Sequence, residues 1–84
     1  MPRFRFHVLN DTFYLQDEDG KDLPDTAAVE VHARHVLADV VADEIRQGRS
    51  SIHLAIMVED PRGTRIANYR LVTTVTATQS PLAD

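Results

Sequence analysis

The chain has 84 residues, 43% of them hydrophobic, with nine lysines and arginines against thirteen acidic residues and a formal net charge of −4. That length specifies one domain with a thin core, because folding at this size buries only about 60–65% of the unfolded chain's surface, and self-association is a common remedy. The lack of cysteine excludes a disulfide framework and thiolate metal ligation, three glycines in all exclude the nucleotide-binding fingerprints, and net acidity opposes a dedicated nucleic-acid binder.

The opening residues alternate. Phe4, Phe6 and Val8 interleave with Arg3, Arg5 and His7, the period of a half-buried strand. Asn10-Asp11 predicts a two-residue turn, since both residues tolerate positive φ. That turn would pair Val8 with Phe13 and Phe6 with Leu15 on one face, and His7 with Tyr14 and Arg5 with Gln16 on the other. Residues 17–25 read as a polar loop. Pro24 restricts Leu23 to extended backbone, and Asp25 is a good helix N-cap.

A helix is predicted from Thr26 to Gln47, stopped by Gly48. Val29, Ala33, Val36, Leu37, Val40 and Val41 share its apolar face, while His32, His35, Asp39, Asp43 and Arg46 form a polar stripe opposite. The β-branched valines lower its propensity, so packing on a sheet must hold it. Ile52, Leu54, Ile56 and Val58 alternate with His53, Ala55, Met57 and Glu59 as a second half-buried strand. Asp60-Pro61-Arg62-Gly63 is a turn with proline at a suitable position. A last strand over Arg65–Thr74 follows. Setting Glu59 opposite Ile66 pairs Ile56 with Tyr69 and Leu54 with Leu71. The predicted fold is α+β: a two-layer β-β-α-β-β domain over residues 1–75, with a four-stranded, mainly antiparallel sheet and one helix on one face. Residues 76–84 read as a flexible tail. With no apolar leader at the N-terminus and no apolar run near the ~20 residues that span a bilayer, the expectation is a soluble cytoplasmic protein with no membrane partner.

Two stretches carry a resemblance. The chain opens Met1-Pro2-Arg3-Phe4-Arg5-Phe6-His7 and continues Asp17-Glu18-Asp19-Gly20-Lys21-Asp22-Leu23-Pro24-Asp25 before its helix. It resembles a family of short bacterial proteins of unknown function that share a Met-Pro-Arg-aromatic opening strand and an Asp-Glu-x-Gly-x-x-Leu-Pro-Asp loop. Most of the chain takes part, less so after about Gly63, and the valine-rich helix with its two histidines departs from the family's Ala-rich one. The resemblance implies the β-β-α-β-β order and brings no catalytic residue.

Few residues invite chemistry. If Met1 were removed, Pro2 would offer an N-terminal secondary amine, the general base of small tautomerases, with Arg3 and Arg5 supplying the cationic surroundings. Those enzymes are similar to a simple β-α-β repeat, which this chain interrupts with a hairpin. His32, His35 and Asp39 lie at i, i+3 and i+7, a spacing open to Zn²⁺ or Ni²⁺, but an exposed stripe does not supply four closed ligands. Asp17-x-Asp19-Gly20 fails as a calcium loop, because Leu15 and Thr26 would fall at the first and twelfth positions. No cofactor, metal site or catalytic residue is therefore assigned.

The sheet face away from the helix is the strongest candidate. By the pairings above it carries Arg3, Arg5, His7, Tyr14, His53, Met57, Asn68 and Arg70. Arg3, Arg5, His7, Tyr14, His53 and Arg70 are the candidate binding residues. Three uses compete: a merely solvated face, a homodimer or protein-partner surface, and an anionic-ligand or nucleic-acid surface in which Tyr14 is the one stacking residue. The expected function is a non-enzymatic interaction module that self-associates through this open face. Nucleic-acid or anionic-ligand binding and the tautomerase are the alternatives.

Overall fold

The computed structural model describes residues 1–79. In chain order the elements are β1 (Arg3–Leu9), β2 (Tyr14–Leu15), β3 (Lys21–Asp22), α1 (Thr26–Arg46), β4 (Ser51–Glu59) and β5 (Arg65–Thr74). The strands form one antiparallel sheet in the order β2-β1-β4-β5, and β3 follows β2 along the same edge of β1. α1 lies across one face, closest to β4, with β1 and β5 on either side. The architecture is the two-layer α+β fold that the alternation predicts.

The core sits between α1 and the sheet. Phe4, Phe6 and Val8 from β1 and Ile52, Leu54, Ile56 and Val58 from β4 meet Val29, Ala33 and Leu37 from α1, and Val36, Val40, Val41, Tyr69 and Leu71 close its border. Asp25 caps the helix by accepting a hydrogen bond from Ala28 N–H, which satisfies one of the orphan donors of the first turn. At the other end the helix stops one residue before the predicted position. Gln47 is its cap, and Gly48 then takes φ +89°.

Four sequence expectations are corrected. The first hairpin pairs Val8 with Leu15 and Leu9 with Tyr14, two residues away from the predicted register. An Asn10-Asp11 turn would need positive φ, and among the described residues no residue but glycine adopts it. Instead the Asn10 side chain accepts from the N–H groups of Thr12 and Phe13, and Asn10 N–H donates to the Phe13 carbonyl, which builds a four-residue loop. A slip of two leaves every side chain on its predicted face. Second, the polar loop contains strand β3, whose Asp22 and Lys21 pair with Arg3 and Phe4.

Third, His32 does not stand on an exposed stripe. Its ring packs edge-on against Phe6, with centroids 4.5 Å apart. Fourth, the second hairpin has the predicted Ile56–Tyr69 and Leu54–Leu71 pairs, but a bulge at Val58/Glu59 sets Glu59 against Arg65 rather than Ile66. The chain runs on without regular structure after Thr74, and residues 80–84 of the expected tail lie outside the described residues.

Ile56 is fully buried at the centre of β4. Ile56→Ala should lower the unfolding free energy by about 2–5 kcal/mol through lost transfer energy and a residual cavity. Equilibrium urea unfolding of the two chains measures this, and an unchanged midpoint would contradict the core described here.

Candidate functional site

The face of the sheet away from α1 is read directly from the registers. It carries the odd residues of β1 and β4, the even residues of β5 from Asn68 onward, and Tyr14 of β2. Cross-strand rows run Arg5–Glu59, His7–Met57–Asn68, Leu9–Ala55–Arg70 and His53–Val72. Leu9, Ala55 and Met57 are half-buried, and Val72 is 62% exposed. Apolar groups therefore run through the middle of the face, with Arg5 towards one end and Arg70 and His53 towards the other. Two shallow cavities lie at these ends. One of about 310 Å³ is lined by Arg3, Arg5, Glu59 and the turn Asp60–Gly63, and one of about 170 Å³ is lined by Leu9, Asn10, Asp11, His53, Ala55, Arg70 and Val72.

The edge beside β1 is held by a carboxylate. Leu15 pairs with Val8 and Lys21 with Phe4, so Phe6, between them, has no strand partner on that side. Asp17 fills the gap: Oδ2 accepts from Phe6 N–H at 3.0 Å, and Oδ1 accepts from Asp19 N–H at 3.2 Å and Gly20 N–H at 3.0 Å. Gly20 is required where the chain turns back. It has φ +74°, and a Cβ there would lie 2.8 Å from Arg3 Cγ and 2.9 Å from the Phe4 carbonyl oxygen. The spacing Asp17-x-x-Gly20 therefore has a structural cause.

The same loop buries His7. Its Nδ1 accepts from Asp17 N–H at 3.0 Å, which leaves Nε2–H to donate to Glu59 Oε1 at 2.8 Å. Tyr14 lies beside the ring, at 5.8 Å between centroids. The residue is only 3% exposed although it is on the uncovered face.

The candidate residues thus divide. Tyr14, Arg5, His53 and Arg70 are exposed on the face. Arg3 is exposed but engaged: Nε and the second terminal nitrogen bind the two oxygens of Asp22 at 3.0 and 3.3 Å, and the first terminal nitrogen donates to the Asp19 carbonyl at 2.9 Å. The hydrogen bond from Arg3 holds the Asp22 carboxyl below its ordinary range. His7 is an interior polar link. The structure therefore does not join the six into one cluster: Arg3 and Arg5 share one end of the face, while His53 and Arg70 share the other. Leu9, Ala55 and Val72 complete the face. Sequence reading passed over them, although the period-2 register of the second hairpin already puts Ala55 and Val72 beside Arg70 and His53.

Pro2 is exposed, with its carbonyl accepting Leu23 N–H, so the dry surroundings of a catalytic amine are not built around it. Among the described residues no three histidine, cysteine or acidic side chains come together to hold a metal ion, and no helix is long and apolar enough to cross a membrane. A family described as a domain of unknown function, DUF6894, matches residues 3–74. The chain belongs to DUF6894. No curated protein and no solved structure matches it. The match spans every strand and the helix of the DUF6894 fold seen here, including the Asp17–Gly20 turn.

Burial alone would raise the Asp17 carboxyl, but the N–H groups of Gly20, Phe6 and Asp19 together outweigh it and hold the group below the usual carboxylate range. The unfolded chain takes up this proton first as pH falls. The stabilisation from Asp17 is therefore complete above the ordinary value near 3.9 and is lost below it, through the depressed folded value. The His32 imidazole is pushed down by burial, with further contributions from Lys21 and His35. Below about pH 6.5 the unfolded chain binds the extra proton, so stability falls as pH drops through that value. Thermal unfolding from pH 8 to 3 should show both limbs. His32→Gln should flatten the first and Asp17→Asn the second. A limb left unchanged by its substitution would refute the assignment.

Proposed function

We propose that this DUF6894 chain is a small non-enzymatic interaction module that self-associates through its sheet and presents the uncovered face as its docking surface. One observation carries the reading. A face with no helix on it places Leu9, Ala55 and Met57 in its middle, with Arg5, Arg70 and Tyr14 around them and Val72 on its β5 edge. An apolar middle, an aromatic residue and peripheral arginines are what protein interfaces enrich relative to the rest of a surface. The thin core of so short a chain adds the energetic reason, since association buries apolar area that one copy cannot cover.

A second reading keeps one specific support. Arg5 and Arg70 are exposed and make no side-chain hydrogen bond or ion pair among the described residues, so both remain available to an anionic ligand or single-stranded nucleic acid. With Arg3 held by Asp22 and His7 by Glu59, the free cationic set is smaller than the sequence suggests.

Light scattering after size exclusion, over a concentration series and at two salt levels, tests the first reading. The expected result is a mass of two chains that persists at high salt, because the contact is apolar rather than ionic. A mass of one chain at every concentration would overturn self-association. Binding of a single-stranded oligonucleotide that weakens steeply with salt would transfer the assignment to the second reading.

A further inference from the structure

The two edges of the sheet differ. On one, β2 and β3 are two residues each and are separated by the Asp17 turn. On the other, β5 offers ten residues, Arg65–Thr74, without proline or lysine, and no strand lies beyond it among the described residues. Natural sheets blunt such edges with charges, proline or bulges; here the bulge and Arg65 blunt only the start of β5, and Asn68–Thr74, with Arg70 its one charge, is left as a template for another strand. The free groups can be named. Val75 N–H donates to the Ser50 carbonyl and so points inward along the β4 side. Backbone direction alternates along a strand, so Tyr69, Leu71 and Thr73 also face β4, while the N–H and C=O groups of Asn68, Arg70, Val72 and Thr74 point away from it.

We propose that a second copy of this chain pairs with that edge, β5 against β5 antiparallel, about a two-fold axis at Val72. This deepens the self-association reading and moves its contact from the sheet face to the sheet edge. A two-fold axis perpendicular to the sheet requires a residue to face itself. An axis at Arg70 would set two guanidinium groups directly opposite, which is repulsive. The axis at Val72 places Arg70 against Thr74, Leu71 against Thr73 and Tyr69 against Val75 of the mate. The last is an aromatic–β-branched pair, a favourable cross-strand combination, and it covers Val75, which is otherwise exposed.

The helix supplies an independent observation. His32 packs on Phe6, and Asp43 and Val40 line a cavity with Asn10 and Phe13, so this flank of α1 faces β1 and β2. At 100° per residue the other flank carries Val41 and Ile45 towards β5, and Ile45 is 45% exposed. Because α1 lies over β4, with β1 and β5 to either side, its mate across the axis would lie about three strand spacings away, roughly 14 Å. The paired edges therefore turn Val41 and Ile45 of the two copies towards each other across β5, beside the Glu30–Arg34 ion pair, while the uncovered sheet face stays open and doubles in extent.

The chain has no cysteine, so a single substitution reads the axis. Facing residues in such a pair stand about 5.5 Å apart at Cα, within disulfide reach. Val72→Cys should oxidise to a covalent dimer nearly completely at micromolar concentration, and Met57→Cys, in the middle of the face, should stay uncrosslinked. Val72→Lys, at an exposed position, should give a folded monomer by light scattering with an unchanged circular dichroism spectrum. Crosslinking at Met57 without crosslinking at Val72 would overturn the edge and keep self-association through the face. A monomeric parent chain would overturn both.

Discussion

One helix cannot cover a sheet of this width. Strands repeat about every 4.8 Å and a helix with its side chains is about 10 Å across, so α1 shields roughly two of the four strand positions on one face and none on the other. It sits over β4, with β1 and β5 at its flanks. What remains uncovered among the described residues is the far face, the outer edge of β5, and the inner side of β2, where Leu15 is 61% exposed. The core is deep only where α1, β1 and β4 meet, and there it is closely filled, with Ala33, Ile56 and Val58 fully buried.

The charged residues serve the fold more than the surface does at first sight. Asp17 takes the place of a missing strand residue beside Phe6, Asp25 caps α1, Asp60 accepts two N–H groups in the second turn, and Glu59 receives His7. Each is a carboxylate satisfying donors that would otherwise be unpaired. An acidic composition read as solubility alone therefore conceals a set of local hydrogen-bond roles. It also reduces the free positive charge of the open face, since Asp22 neutralises Arg3.

The elements with strong periodicity were legible from the sequence. β4 alternates over Ile52–Val58, so its buried side could hardly be misread, and the helix carries its own cap at Asp25. The first hairpin was legible in its faces but not in its register, because Asn10 builds its turn from a side-chain oxygen rather than from backbone geometry that composition reveals. β3 was invisible: Lys21 and Asp22 have no strand propensity and form a strand only because Arg3 and Phe4 lie opposite. The burial of His7 was equally hidden. An alternating strand reads a histidine as outward and wet, and only the approach of the Asp17 loop and Glu59, residues distant in sequence, encloses it. On the candidate face the arginines were conspicuous, whereas Leu9, Ala55 and Val72 gained meaning only when three strands were set side by side.

The interrupted edge at Asp17 has a consequence for stoichiometry. A sheet with two bare edges is divalent and grows into a filament as each added copy offers a fresh template. Here Gly20 turns the chain where a longer strand would continue, and the carboxylate of Asp17 occupies the Phe6 donor that a newcomer would need. That side of the molecule offers no continuous strand edge, so the pairing proposed at β5 would stop at two chains.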